Sequence, residues 1–175
     1  MEGDPSFFSS EHSKQNRKPM AKIWILPVAI LTVSLLGCAA APIQEMSDAR
    51  QAVRAAQEAD AARHAPRYLL QAEGHLQNAE QALTDGARGY KPAREEAIAA
   101  KDAAMKGRTL AVAIGAAKAA VAEAVAAGAL SEKTEAALRD AVAAARAGDD
   151  TRATELAHTA KQRAEADLAA AAPQP

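Results

Sequence analysis

A chain of 175 residues with 21 Lys+Arg against 22 Asp+Glu has a formal net charge of −1 and no basic stripe, which disfavours nucleic acid as a partner. Its single cysteine excludes an intramolecular disulfide. Aromatics make up 3% and the 49% hydrophobic fraction is mostly alanine, which excludes a thick core of large side chains. Alanine is the best helix former and loses no side-chain entropy on folding. Long helices in close, thin contact are therefore expected, and no run of β-branched and aromatic residues alternates with polar ones as a strand would.

Taken in order, Met1 to Pro19 is polar and carries Gly3, Pro5, Pro19 and several serines. It has no helical or strand periodicity and reads as a disordered extension. Met20 begins a complete leader by itself, and translation is expected to start there. Residues 20–37 have the anatomy of a bacterial export signal: Lys22 at the head, an uncharged run from Ile23 to Leu36, then Gly37. The apolar run continues through Ala41 and Ile43, about 20 residues in all. That is also enough for an uncleaved signal anchor crossing the inner membrane.

The closing tetrad Leu35-Leu36-Gly37-Cys38 resembles the lipobox of bacterial lipoproteins. The resemblance implies that the Cys38 thiol carries a diacylglycerol, that the leader is cut before Cys38 and that the new amino terminus is acylated. Cys38 is then the lipid-attachment residue, membrane lipid the first partner, and residues 38–46 a lipidated linker. Ala39 and Ala40 follow, without the aspartate that in this family retains a lipoprotein in the inner membrane. Their place implies the periplasmic face of the outer membrane.

Residues 47–172 are expected to form one all-α domain, an alanine-rich bundle of elongated antiparallel hairpins. Ser47 is a suitable N-cap for a first helix to about Ala62. Pro66 ends it and opens a second, to about Thr84. Leu69, Leu76 and Leu83, spaced by seven with Ala72 and Ala79 between, predict a contact seam there. After a turn over Asp85–Lys91, Pro92 opens a third helix, to about Ala127 and about 50 Å long. Ile98, Met105 and Val112 predict one seam on it, and Leu110, Ile114, Val121 and Val125 a second. Gly107 is a candidate break, since an interior glycine costs about 1 kcal/mol against alanine. Gly128 ends this helix. Ser131 caps a fourth carrying Leu138 and Val142, which stops at Gly148. Asp149 or Asp150 caps a fifth with Leu156, Ala160 and Leu168, fraying from Ala169.

Ala93, Glu95, Ala97, Ala100, Lys101 and Ala104 recur sixty residues later as Ala153, Glu155, Ala157, Ala160, Lys161 and Ala164. Two explanations stand: a duplicated helical unit that stacks on its copy, or the chance likeness of alanine-rich helices.

The stretch Ala65-Pro66-Arg67-Tyr68-Leu69, with Ala72, Glu73, Leu76, Ala79 and Glu80, then Gly89-Tyr90 and the ladder Ala93, Ala97, Ala100, Ala104, resembles a family of alanine-rich bacterial lipoproteins grouped as a domain of unknown function. Ser47-Asp48-Ala49-Arg50 matches its first helix, and the likeness covers about Met46 to Leu110. This chain departs by extra residues before Gly89 and by the helices after Gly128. The resemblance implies location and fold and no activity; the peptidoglycan-binding domain that some relatives carry after the helices has no counterpart in this sequence.

No constellation in the sequence carries chemistry. His64, His75 and His158 lack metal-ligand spacing and read as solvated helix-surface residues. Glu95 and Glu96 are neighbours on a helix and point apart, each suited to the positive end of the helix dipole. Asp102/Lys106 and Glu135/Arg139 are expected surface pairs. Gly86–Lys91 could hold an anion with Arg88, Lys91 and backbone N–H groups, but it lacks the phosphate-loop pattern and reads first as a turn. No nucleophile and base, metal cluster or cofactor motif is present, so an enzyme is not expected and no cofactor is assigned. The expected function is a structural or protein-interaction lipoprotein of the cell envelope, bound to another envelope protein or to further copies of itself. The alternatives are a tetratricopeptide-like peptide-binding repeat, whose large-residue consensus is missing, and a signal-anchored helical protein of the inner membrane.

Overall fold

The computed structural model describes residues 40–172; the N-terminal extension, the leader and Cys38 lie outside the described residues. The regular structure is helical throughout: α1 (Ile43–Glu58), α2 (Ala61–His64), α3 (Pro66–Leu83), a 3₁₀ turn over Gly86–Gly89, α4 (Tyr90–Ala126), α5 (Glu132–Ala147) and α6 (Asp150–Ala171). The all-α bundle expected from composition is what forms.

α4 is the axis. Its 37 residues span about 55 Å at 1.5 Å per residue. Along its first half, α1 runs parallel to it, with Arg94 donating to Glu45 (2.7 Å) and Lys101 to Asp48 (2.8 Å). α3 returns antiparallel: His75 meets Glu96 (2.7 Å) near its middle, and Tyr68, near its start, lies against Gly107. Along the second half, α5 runs back and α6 runs forward again. Ser131 and Thr134 at the start of α5 meet Asp167 near the end of α6, while Ala164 and Leu168 pack on Ala120, Val121 and Ala124 of α4. The body is thus two three-helix units, each up-down-up, set end to end on a shared helix.

The echo at an offset of sixty has a structural meaning. Ala93, Ala97, Ala100 and Ala104 form the inner edge of α4 in the first unit. Ala153, Ala157, Ala160 and Ala164 form the inner edge of α6 in the second. All eight are fully buried. The exposure pattern of residues 91–104 repeats over 151–164 at every position but one, Ala103 against Arg163. Both ladders are the third helix of their unit, so one pattern meets one packing problem twice: a methyl every turn lets two helices approach closely.

Six sequence expectations need correction. α1 begins at Ile43 rather than Ser47, and Pro42 precedes it with no side-chain cap. Asp60, in the left-handed region at φ 58°, then breaks the chain before the short α2. Tyr90, not Pro92, opens α4; proline fits there because the first four N–H groups of a helix have no internal acceptor. Gly107 does not break α4. It is buried, and an added Cβ would lie 3.0 Å from the Cβ of Tyr68, so it admits α3 at close range. The seam Ile98–Met105–Val112 faces solvent at 47%, 54% and 54% exposure, and Val125 of the second seam is 56% exposed. Alanine spacing, not the large residues, chose the buried face, because α1, α3 and α6 approach too closely for branched side chains between them. The Leu69 seam and the remainder of the second, Leu110, Ile114 and Val121, are formed. The expected pairs Asp102/Lys106 and Glu135/Arg139 are not among the ion pairs of the described residues, where Lys91–Glu95 and Lys161–Glu165 are the Lys–Glu pairs at i,i+4.

Gly86–Ala126 is long and apolar enough, by length and composition, to cross a bilayer. In the fold Ala113, Ile114, Ala117, Ala120, Val121 and Ala124 of this stretch are covered by neighbouring helices, while Val112 and Val125 are exposed. α4 and α5 end as expected, at Gly128 and Gly148, each with positive φ. The amide that follows each glycine, of Ala129 and of Asp149, bonds back to Ala124 (2.9 Å) and Ala144 (3.0 Å), the glycine-terminated closure of a helix.

Thr134 is a fully buried polar residue of the described bundle. Its hydroxyl donates to Asp167 (2.7 Å), as do the Ser131 hydroxyl (2.7 Å) and amide (3.1 Å). These bonds hold the Asp167 carboxyl below its ordinary value. Lys101 and Gln44 do the same for Asp48, and His75 and Asn78 for Glu96, against its partial desolvation. A carboxylate with a depressed pKa adds stability above its unfolded value and loses it as pH falls through the folded one. The melting temperature is therefore expected to decline as pH drops below about 4, and Asp167→Asn to flatten part of that decline. A Tm indifferent to acid would count against these bonds.

Candidate functional site

Where α2, α3, the middle of α4 and the end of α5 meet, at the junction of the two units, the surface folds inward into a cleft of about 440 Å³. The break at Asp60 and the Ala65-Pro66 step force this. They turn the chain between α1 and α3, so Arg63, His64, Arg67 and Tyr68 leave the backbone within one short bend. Lys118 comes from α4 and Arg146 from the last turn of α5, where a cation also suits the negative end of the helix dipole. Leu110 and Ile114 form the floor at 3% and 2% exposure, and Val142 and Ala145 form one wall.

The charges are held in place. Arg67 lies 4.7 Å from the centre of the Tyr68 ring, donates to the Tyr68 hydroxyl (2.9 Å) and reaches Asp150 (3.4 Å). The Tyr68 hydroxyl itself donates to Asp150. Gly148 makes room: a Cβ there would sit 2.7 Å from the guanidinium of Arg67. Arg63 is 3.7 Å from Asp60. Lys118 and Arg146 make no ion pair among the described residues; the Lys118 ammonium donates to His64 Nδ1 at 3.3 Å. That geometry assigns the imidazole proton to Nε2, which faces Asp60 at 3.7 Å. Burial lowers the His64 pKa first, Lys118 lowers it further, and Asp60 opposes them. His64 is therefore a neutral acceptor under a positive rim.

His64 corrects the reading of the histidines as solvated: its side chain is 8% exposed. His75 is half-buried against Glu96, and His158 is exposed as expected. Glu95 and Glu96 do point apart, to Lys91 and to His75. The Gly86–Lys91 segment is the 3₁₀ turn Gly86–Gly89 joining α3 to α4, followed by the first two residues of α4. Cys38, the lipid-attachment residue expected from the sequence, lies outside the described residues. No group of three metal-ligating side chains occurs among the described residues.

The cleft has no local signature, because its cations are spread from Arg63 to Arg146 and only the packing of α5 against α4 unites them. The legible hint was the clustering of Arg63, His64 and Arg67 around the Ala65-Pro66 break. Chemically the lining offers positive charge, a neutral imidazole and a small apolar floor, which suits recognition of an anion. No family model, no curated protein and no solved structure matches this chain.

Proposed function

We propose that the chain is a lipid-anchored, periplasm-facing module of the bacterial outer membrane whose helical body binds a partner. The observation that carries this is the position of the only cysteine. Cys38 follows a cationic head and an apolar run, and the described helical body starts only five residues later, at Ile43. A cut before Cys38 would leave that body whole. Acylation suffices as an anchor, since each buried methylene contributes about 0.8 kcal/mol and two or more chains hold stably. Ile43, the first helical residue, lies five residues past Cys38, at most about 18 Å of extended chain. Pro42 and Ile43 lie beside Leu83 at the end of α3, and the cleft sits about 30 Å further along α4. The partner is an envelope protein or another copy of the chain.

Native protein is expected to begin at an acylated Cys38, and Cys38→Ser to abolish palmitate labelling and release the body from the membrane fraction. Labelling that persists in the variant, or native material that retains its leader with a free thiol, sinks the proposal in favour of a spanning anchor.

A further inference from the structure

We propose that the cleft between the two three-helix units binds a compact oxyanion, a carboxylate or phosphate group bearing a small apolar substituent. The inference extends the binding role proposed above and does not depend on the anchor.

Four cationic side chains from separate elements converge on one concave surface, and no carboxylate lines it. Asp60 and Asp150 sit at its edges and engage Arg63 and Arg67. They leave the positive field of Lys118 and Arg146 uncompensated by any ion pair among the described residues. Arg67 is already fixed by the Tyr68 ring, the Tyr68 hydroxyl and Asp150, so little of its freedom remains to be lost on binding. A guanidinium meets an oxyanion through paired N–H donors, and an ammonium meets it as a point charge. The cleft supplies both kinds. Its volume falls in the range of small-molecule sites, about 300–1,000 Å³.

The floor limits the ligand. Leu110 and Ile114 are nearly covered by their own helices and offer little area to an incoming chain. At about 25 cal/mol per Å² a long acyl tail would gain little there, whereas one methyl or isopropyl group fits. A polyanion such as nucleic acid is a poor match, because the chain has a net charge of −1 and no basic stripe along which a polyanion could lie. The shared chemistry is thus a single oxyanion on a small body, whether the carboxylate of a peptide end or a phosphate monoester.

The test uses the full mature chain, anchored, in a neutral detergent. The Cε1–H resonances of His64, His75 and His158 are followed by NMR at fixed ionic strength. The probes are inorganic phosphate, N-acetylalanine and the uncharged N-acetylalaninamide. Phosphate, N-acetylalanine or both should shift His64 in a saturable way, leave His158 unmoved and raise the pH at which His64 titrates, since a bound anion offsets Lys118, Arg63 and their neighbours. The amide should do nothing. The oxyanion that saturates at lower concentration identifies the source. Lys118→Gln and Arg146→Gln, both at exposed positions, should each weaken binding about tenfold with helicity unchanged. A shift that never saturates, one as large in the double variant, or equal binding of the amide overturns the proposal. Because palmitate labelling reports on the anchor alone, failure of one proposal is distinguishable from failure of the other.

Discussion

Gly89→Ala is expected to destabilise the helical body by about 4 kcal/mol or more, a size reserved for steric conflict with an immovable neighbour. An added Cβ would stand 1.7 Å from the carbonyl oxygen of Ala82 and 2.7 Å from its carbon. Those are backbone atoms in the last turn of α3, so relief requires unwinding that turn or reopening the link to α4. The α3–α4 hairpin organises the whole first unit, since α1 packs on both of its arms. Natural domains have only about 5–15 kcal/mol in total. Thermal unfolding followed by circular dichroism should show a Tm lower by roughly 10 °C or more. Gly74 in the same α3 is the internal control. Nothing lies within 4 Å of a Cβ built there, and alanine at this helix-interior position should raise stability by about 0.5–1 kcal/mol. Equal Tm values for the two variants would mean that the turn at Gly89 is not as close as the fold requires.

Overpacking the alanine ladders should be nearly as damaging. Ala100→Leu and Ala160→Leu each place three extra carbon atoms where exposure is zero. Ala100 lies against Met46, Ala49, Ala79 and Ala97, and Ala160 lies in the larger core cluster with Ala113 and Ala117 of α4. Extra methylenes in a filled interior cost about 1–3 kcal/mol, and more where the neighbour is a backbone that cannot turn aside. Each variant is expected to lose about 3 kcal/mol by denaturant titration. The two sites belong to different units, so the losses should add to within about 0.5 kcal/mol if the double variant still folds. By contrast Met105→Ala, on the outward face of α4, should stay within about 0.5 kcal/mol. A costly Met105→Ala beside a harmless Ala100→Leu would reverse the inside and outside of α4 and refute the packing described.

That contrast explains how much of the fold was legible. Helix existence and five of the six described helices followed from alanine content and from the punctuation at Pro66, Gly128, Ser131 and Gly148, because these act on local backbone energies that a short stretch carries in itself. Which side of α4 faces inward did not follow from reading the largest residues as the buried ones. Ile98, Met105 and Val112 repeat every seven residues, yet a helix of this composition gains more from close approach through methyl groups than from a seam of large side chains. The repeat at sixty was visible as letters, but its role as the third helix of each unit needed the chain directions of all three helices. The break at Asp60 was missed as well, since a left-handed aspartate has no strong local signal.

The sequence by itself determined the helical character of the described residues 43–171, a property of residue type and near-neighbour spacing. The tertiary structure decided the two-unit arrangement on a shared α4, the outward turn of the large apolar residues and the gathering of Arg63, Arg67, Lys118 and Arg146 around His64. Those depend on contacts between residues up to 83 positions apart, and no window of sequence contains the geometry that joins them.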